Sequence, residues 1–252
     1  MMLSALTKKQ ATASHFSKAA ERYQSHAHVQ KQAADILLKS LGARYKVALD
    51  LGCGPFVNSF ELKKRCDYLV SMDLSESMLQ QGVTPSICAD MDTLPFQGEC
   101  FDLIFSNFAM QWSSDLAALL THFYRVLKPG GRAHFSIVAD GTLQEIKQAF
   151  SVLDNEPHIN RFVTQNDIAN AVAHTPFKLI SSSFCHHKIF YDSPKLALNS
   201  IKEIGANHKV NSSEQPSGLM GKRKYRALLA NYPKEQGQFP VSYQVAYIVI
   251  EK

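Results

Sequence analysis

Between residues 45 and 138 the chain alternates between two hydrophobic rhythms, and that alternation restricts the fold more than any other feature. Apolar runs lie at Val47-Ala48-Leu49-Asp50-Leu51, Tyr68-Leu69-Val70-Ser71-Met72, Ser86-Ile87-Cys88-Ala89, Phe101-Asp102-Leu103-Ile104-Phe105 and residues 133–138. Such unbroken runs suit strands covered on both faces. Helical stretches fall between them: residues 75–81, with Ser75 as the expected N-cap, and residues 115–127, stopped by Lys128-Pro129-Gly130-Gly131. Strands alternating with helices need crossover connections, hence a parallel sheet. The expectation is an α/β protein with a doubly wound, mostly parallel sheet that binds ligands at the carboxyl ends of its strands.

The flanks read differently. Residues 16–41 repeat apolar positions at helical spacing (Ala19, Tyr23, Ala27, Ala34, Leu37, Leu38) and predict one or two helices. After residue 138 helices are expected at 143–153, at 164–173 with Thr164 as cap and Asp167 at the third position, at 194–204 with Ser193 as cap, and at 218–231. Strands are expected within 177–190 and at 241–250. We read 1–252 as a single domain: N-terminal cap helices at 1–42, a cofactor-binding core at 43–140, an acceptor-binding cap insertion at 141–220, and a final helix and strand at 221–252.

Composition narrows the function classes. A formal charge of +5 over 252 residues is too mild and too dispersed for a dedicated nucleic-acid binder, though useful toward an acidic partner. Five cysteines without C-x-x-C spacing argue against a disulfide framework or zinc site and for a reducing cytoplasm. His26 and His28, two apart on a helix, point away from each other, so no metal role is expected. No secretory leader or membrane-spanning run is expected.

The chemistry concentrates at the ends of the apolar runs. Asp50-Leu51-Gly52-Cys53-Gly54 makes a strand followed by a glycine turn, which lets a ligand approach the main chain. Asp73, ending the next run, has the right acidity to accept hydrogen bonds from a ribose diol; its alternative is a turn cap. A dinucleotide fingerprint would need glycine at Val57. S-adenosylmethionine, which has no phosphate, does not need it. Asp90 is placed to accept from an adenine amino group while Met91 packs on the ring, unless the pair is a solvated turn. Ser106-Asn107-Phe108 follows the fourth strand, where a methionine moiety would lie; Trp112 is expected to pack in the core or cap.

Leu49-Asp50-Leu51-Gly52-Cys53-Gly54, Met72-Asp73-Leu74-Ser75, Ala89-Asp90, Leu94-Pro95-Phe96, Phe101-Asp102-Leu103-Ile104 and Arg125-Val126-Leu127-Lys128-Pro129-Gly130-Gly131 together resemble the class I S-adenosylmethionine-dependent methyltransferases. That resemblance implies a Rossmann-like sheet of seven strands with an antiparallel last strand and a helical cap. It also implies cofactor contacts at Asp50, Gly52, Cys53, Gly54, Asp73, Leu74, Asp90, Met91 and Asn107. Further segments are similar to the malonyl-acyl-carrier-protein O-methyltransferases of biotin synthesis: residues 19–27, Gln111-Trp112, Pro157-His158-Ile159-Asn160-Arg161-Phe162, residues 200–208 and Gln236-Gly237-Gln238-Phe239-Pro240. In that family the free carboxylate of a malonyl thioester becomes a methyl ester. One departure stands out: the family's third loop glycine is Phe56 here, whose ring is expected to crowd the loop or alter the following helix.

A carboxylate acceptor, with a pKa of about 4, is already ionised near neutral pH and needs no base. Its capture calls for a bidentate arginine. Arg161 is the candidate, with Tyr23 and His208 as possible hydrogen-bond partners; a surface salt bridge is the alternative for Arg161. Lys222, Arg223, Lys224 and Arg226 are expected either to dock an acidic malonyl-acyl-carrier protein or simply to form a solvated helix face. Two other functions fit the same fold: a methyltransferase acting on a quinone precursor or free dicarboxylic acid, and an inactive cofactor-binding protein, the latter suggested by Phe56.

Overall fold

A computed structural model describes residues 9, 14, 27–42, 44–80, 82, 84–154, 156, 158–203 and 221–252. The strands are β1 (Tyr45–Leu51), β2 (Cys66–Asp73), β3 (Ser86–Cys88), β4 (Phe101–Asn107), β5 (Leu127–Ala139), β6 (Lys178–Tyr191) and β7 (Phe239–Glu251). They form one sheet in the order β3-β2-β1-β4-β5-β7-β6. The first five pair in parallel, and β7 runs antiparallel between β5 and β6.

The helices are α1 (His28–Ser40), α2 (Ser59–Lys63), α3 (Glu76–Leu79), α4 (Leu116–Val126), α5 (Gln144–Ser151), α6 (Gln165–Ala173), α7 (Pro194–Glu203) and α8 (Lys222–Ala230). They cover both faces of the sheet. One core joins Ala33 and Leu37 of α1, Leu62 of α2, Ile146 of α5, Ala197 of α7 and Leu228 of α8 to Leu103, Phe105 and Val245. The other joins Leu119, Leu120 and Phe123 of α4 and Ile168 of α6 to Leu49, Ile104, Phe135 and Ile248. Burial from two sides explains the unbroken apolar runs of β1, β4 and β5, whereas β3, at the edge of the sheet, is exposed along its length.

Some local expectations hold and others are corrected. Helix α1 packs Val29, Ala33 and Leu37 into the first core; of the rest of the expected cap segment 1–42, residues 1–26 apart from 9 and 14 lie outside the described residues. The strand expected within 177–190 is β6, which pairs along β7 from Lys178 to Tyr191 at the edge of the sheet. The helix before Lys128-Pro129-Gly130-Gly131 does stop, at Val126, but those four residues lie within a strand rather than in a free turn. Strand β5 begins at Leu127 and absorbs a bulge, because Lys252 exchanges backbone hydrogen bonds with Gly130 (2.7 Å) and Gly131 (3.0 Å). The Ser75 side chain makes no cap bond on α3; its hydroxyl meets Ser77 instead, at 3.1 Å. Thr164 and Asp167 do form the reciprocal capping box of α6.

Candidate functional site

The parallel strands point their carboxyl ends the same way, so the turns after β1, β2 and β4 gather at one edge. Gly52 and Gly54 both take left-handed backbone, φ 69° and 53°, which glycine adopts without steric cost. The amides of Gly52 and Cys53 donate back to the Met72 carbonyl at 2.7 and 3.1 Å, folding the turn against β2. At Gly52 a Cβ would sit 2.2 Å from that of Ala109, beyond β4, so only glycine fits. At Gly54 it would meet nothing within 4 Å. The loop therefore presents bare main chain to open space.

Asp73 closes one side of that space. Its carboxylate accepts from the Gly54 amide at 2.9 Å and the Ser75 amide at 2.8 Å. An ionised carboxylate has about four lone-pair sites, so capacity remains for hydroxyl donors. Burial pushes the Asp73 pKa up, and the amides of Ser75, Gly54 and Leu74 only partly offset it. This environment rewards additional donors, and a ribose diol supplies two. Asp50 lies deeper, at 1% exposure, accepting from the Ser59 hydroxyl at 3.3 Å. Desolvation, with repulsion from Asp73, pushes its pKa to about 7. Burial also drives the Cys53 thiol far up, leaving it un-ionised.

Phe56 also takes left-handed backbone, φ 59°, and keeps the turn a glycine would make. Its ring is buried end-on against Gly82, where a Cβ would lie 2.2 Å from the ring tip. The expected crowding is thus relieved by a second glycine beyond α3.

The expected adenine-side residues are more engaged than their sequence suggests. Asp90 accepts from the Asp92 amide at 3.0 Å and from the Lys9 ammonium at 2.5 Å. Asp92 binds Lys9 at 2.6 Å, the Ser113 hydroxyl at 2.5 Å and the Ser114 amide at 2.9 Å. Against the cost of burial, these bonds hold its carboxyl below the usual range. Met91 is half-buried against the second core, and Leu74 donates no side-chain polarity but takes the Cys88 thiol on its carbonyl.

Asn107, at the tip of β4, is held on both ends. Its Nδ2 donates to the Gln30 carbonyl at 2.9 Å, and its Oδ1 accepts from Ser136 at 2.8 Å. The Gln30 Oε1 and Gln111 Oε1 atoms are buried here without a partner among the described residues. Sequence reading missed Gln30, Ser136 and Lys9. The first two arrive from α1 and β5, far apart in the chain, and only strand pairing could have flagged Ser136.

Arg161 is exposed, makes no hydrogen bond or ion pair among the described residues, and lends its field to Asp167. Tyr23 and His208 lie outside the described residues. Of the basic cluster on α8, Lys222, Arg223 and Arg226 are exposed, whereas Lys224 is bound to Asp154 at 2.5 Å. Among the described residues no group of three His, Cys, Asp or Glu side chains is placed to hold a metal, and no helix is long and apolar enough to cross a membrane.

Comparison with known proteins agrees with this geometry. A methyltransferase-domain family model matches residues 49–135, the stretch from the glycine loop through β5. Malonyl-[acyl-carrier protein] O-methyltransferases are similar nearly end to end. The one from Serratia marcescens is 36% identical, covering 96% of this chain and 95% of its own length. That from Salmonella typhimurium is 34% identical, with 97% and 98% covered. Among solved structures, a methyltransferase of Bacillus halodurans shares the fold at TM-score 0.62 and 14% identity, covering 88% of this chain and 99% of its own. A geranyl diphosphate C-methyltransferase from Streptomyces coelicolor A3(2), solved with S-adenosyl-L-homocysteine, does so at 0.53 and 15%, covering 88% and 78%. With a doubly wound sheet, a bare glycine turn and full-length similarity above 30%, the chain belongs to the malonyl-[acyl-carrier protein] O-methyltransferase family.

Proposed function

We propose that this protein transfers the methyl group of S-adenosylmethionine to the free carboxylate of a malonyl group held as a thioester on acyl-carrier protein. The observation that carries the cofactor assignment is the pairing of the open Gly54 main chain with a half-used Asp73 carboxylate at the strand tips. Bound there, S-adenosylmethionine supplies a methyl group on a positively charged sulfur. The chain's own residues then have three tasks. Asp73 and the Gly54 turn hold the sugar, and Asn107, fixed by Ser136 and Gln30, defines the far wall. Arg161, whose donors are uncommitted, clamps the acceptor carboxylate. Rate follows from holding an oxygen in line about 3 Å from the methyl carbon, with no base required. Removing the carboxylate's charge spares the costly desolvation it would meet in apolar acyl pockets.

Incubating the purified protein with isotopically labelled cofactor and malonyl-acyl-carrier protein, malonyl-coenzyme A or free malonate tests this. One methyl gained on the carboxyl of the thioesters, the carrier form best, is expected. Free malonate or a phenol reacting best would assign a different acceptor. Cofactor bound but no methyl transferred to any acceptor would leave the inactive cofactor-binding alternative, and failure to bind the cofactor would overturn both readings.

A further inference from the structure

Residues 158–163 cross the edge of the sheet at the tip of β5. Ile159 and Phe162 pack on the first core, while Val163 packs on the second. The chain therefore passes from one face to the other over the strand ends, and Arg161 rides on this crossing. The downstream foot is fixed by backbone. Val163 bridges to Ala139, its carbonyl accepts from the Asp140 amide at 2.8 Å, and the Thr164–Asp167 box begins α6 immediately afterwards.

The upstream foot is fixed by side chains. The His158 ring lies flat on Phe150 of α5, with centroids 3.8 Å apart and planes 13° apart. Its Nε2 meets Asp154 Oδ1 at 2.5 Å. Asp154 Oδ2 meets Lys224 of α8 at 2.5 Å, and Oδ1 also accepts from the Glu156 amide at 3.1 Å. One carboxylate thus joins the end of α5, the start of the crossing and α8. Isolated exposed ion pairs contribute little to stability. A carboxylate shared by a stacked imidazole, an ammonium and an amide fixes geometry instead.

We infer that Asp154 is a positioning residue: through His158 and Lys224 it sets the height and angle of the crossing that delivers Arg161 to the acceptor carboxylate. The inference rests on the clamp role proposed for Arg161. A displacement of about 1 Å in such a clamp is enough to cost up to about a hundredfold.

The experiment compares steady-state kinetics and cofactor binding for Asp154→Asn, Lys224→Met, Lys224→Arg, Arg161→Ala and the double variant Asp154→Asn/Arg161→Ala, using malonyl-acyl-carrier protein. Expected are a KM for the acceptor raised about ten- to a hundredfold in Asp154→Asn and Lys224→Met, unchanged S-adenosylhomocysteine affinity, and recovery in Lys224→Arg. The double variant should be no worse than Arg161→Ala alone. If Arg161→Ala raises KM but Asp154→Asn and Lys224→Met do not, the positioning role is wrong and the clamp stands. If Arg161→Ala leaves KM unchanged, the clamp itself is wrong and this inference falls with it. Multiplying effects in the double variant would show that Asp154 acts elsewhere. Should Asp154→Asn fail to fold, Lys224→Met decides, measured also with malonyl-coenzyme A so that carrier docking does not contribute; the Lys224 side chain is 45% exposed.

Discussion

The Phe56–Gly82 contact makes a quantitative prediction about how this loop tolerates a bulky residue. A methyl group added at Gly82 would stand 2.2, 2.6 and 2.9 Å from three ring atoms of Phe56. An ordinary carbon–carbon contact is about 3.6 Å, so the ring would have to withdraw by roughly 1.4 Å. The ring is only 9% exposed and leaves from left-handed backbone, so it has little room to yield. Overpacking of this kind costs roughly 1–3 kcal/mol, and at about 2–4 °C per kcal/mol for a chain of this size Gly82→Ala should lower the melting temperature by about 2–12 °C. Phe56→Gly removes the left-handed backbone penalty but also a buried ring, so alone it is expected to destabilise too. Combined, the two changes should cost less than their sum, because the three atoms nearest the added methyl all belong to the ring that Phe56→Gly removes. Urea unfolding of the wild type, both single variants and the double variant measures this coupling. Cofactor titration should show Gly82→Ala weakening binding, because the displaced ring drags the glycine turn with it. Additivity within about 0.5 kcal/mol would mean the two residues do not touch and would refute the reasoning.

Other predictions follow from buried titratable groups and exposed charge. His134, 1% exposed and bonded through Nδ1 to the Ser40 hydroxyl at 2.9 Å, has its pKa lowered to about 4 by burial and by repulsion from Arg132. Below pH 6.5 the unfolded chain takes up that proton first, so stability should fall with pH, by ~2 kcal/mol at pH 5 and ~3.4 kcal/mol below pH 4. His134→Asn should lack this component when unfolding is compared between pH 7.5 and 5. Asp50 runs the other way: with its pKa raised to about 7, folding loses stability as pH rises from about 4 through 7. Asp50→Asn should therefore stabilise the ligand-free protein more at pH 8 than at pH 5, read by the same denaturation curves. Reversing Lys222, Arg223 and Arg226 to glutamate should raise KM for the carrier-borne acceptor at low salt but spare the coenzyme A form, the difference shrinking at high salt.

What was legible in the sequence was local. Unbroken apolar runs mark strands covered on two sides, and Gly52, Gly54 and Asp73 mark the left-handed turn and the carboxylate that meet at the strand ends, because glycine backbone and a terminal carboxylate are short-range signals. Thr164 and Asp167 announced α6 for the same reason, three residues apart. What escaped depends on pairing between distant segments. Phe56 reads as an obstruction until Gly82 is seen to receive its ring. Lys128-Pro129-Gly130-Gly131 reads as a turn until the last residue of the chain pairs with it. The strand expected within 177–190 is there as β6, but its place as an edge strand along β7 has no local signal. The engagement of Asp90 and Asp92 by Lys9 carries no sequence signal at all, since a lone lysine is ordinary on any surface.

Asp73 receiving the cofactor's sugar hydroxyls is tested most directly by a cycle between ligand and protein. Calorimetric titration would compare S-adenosylhomocysteine with its 2′-deoxy analogue, each on the wild type and on Asp73→Ala. Loss of one hydrogen bond to a charged group costs roughly 1.5–3 kcal/mol, so the wild type should bind the deoxy form at least about tenfold more weakly, and Asp73→Ala should bind both forms weakly and almost equally. The same penalty for the missing hydroxyl in both proteins would place the sugar against some other residue and contradict the site described above.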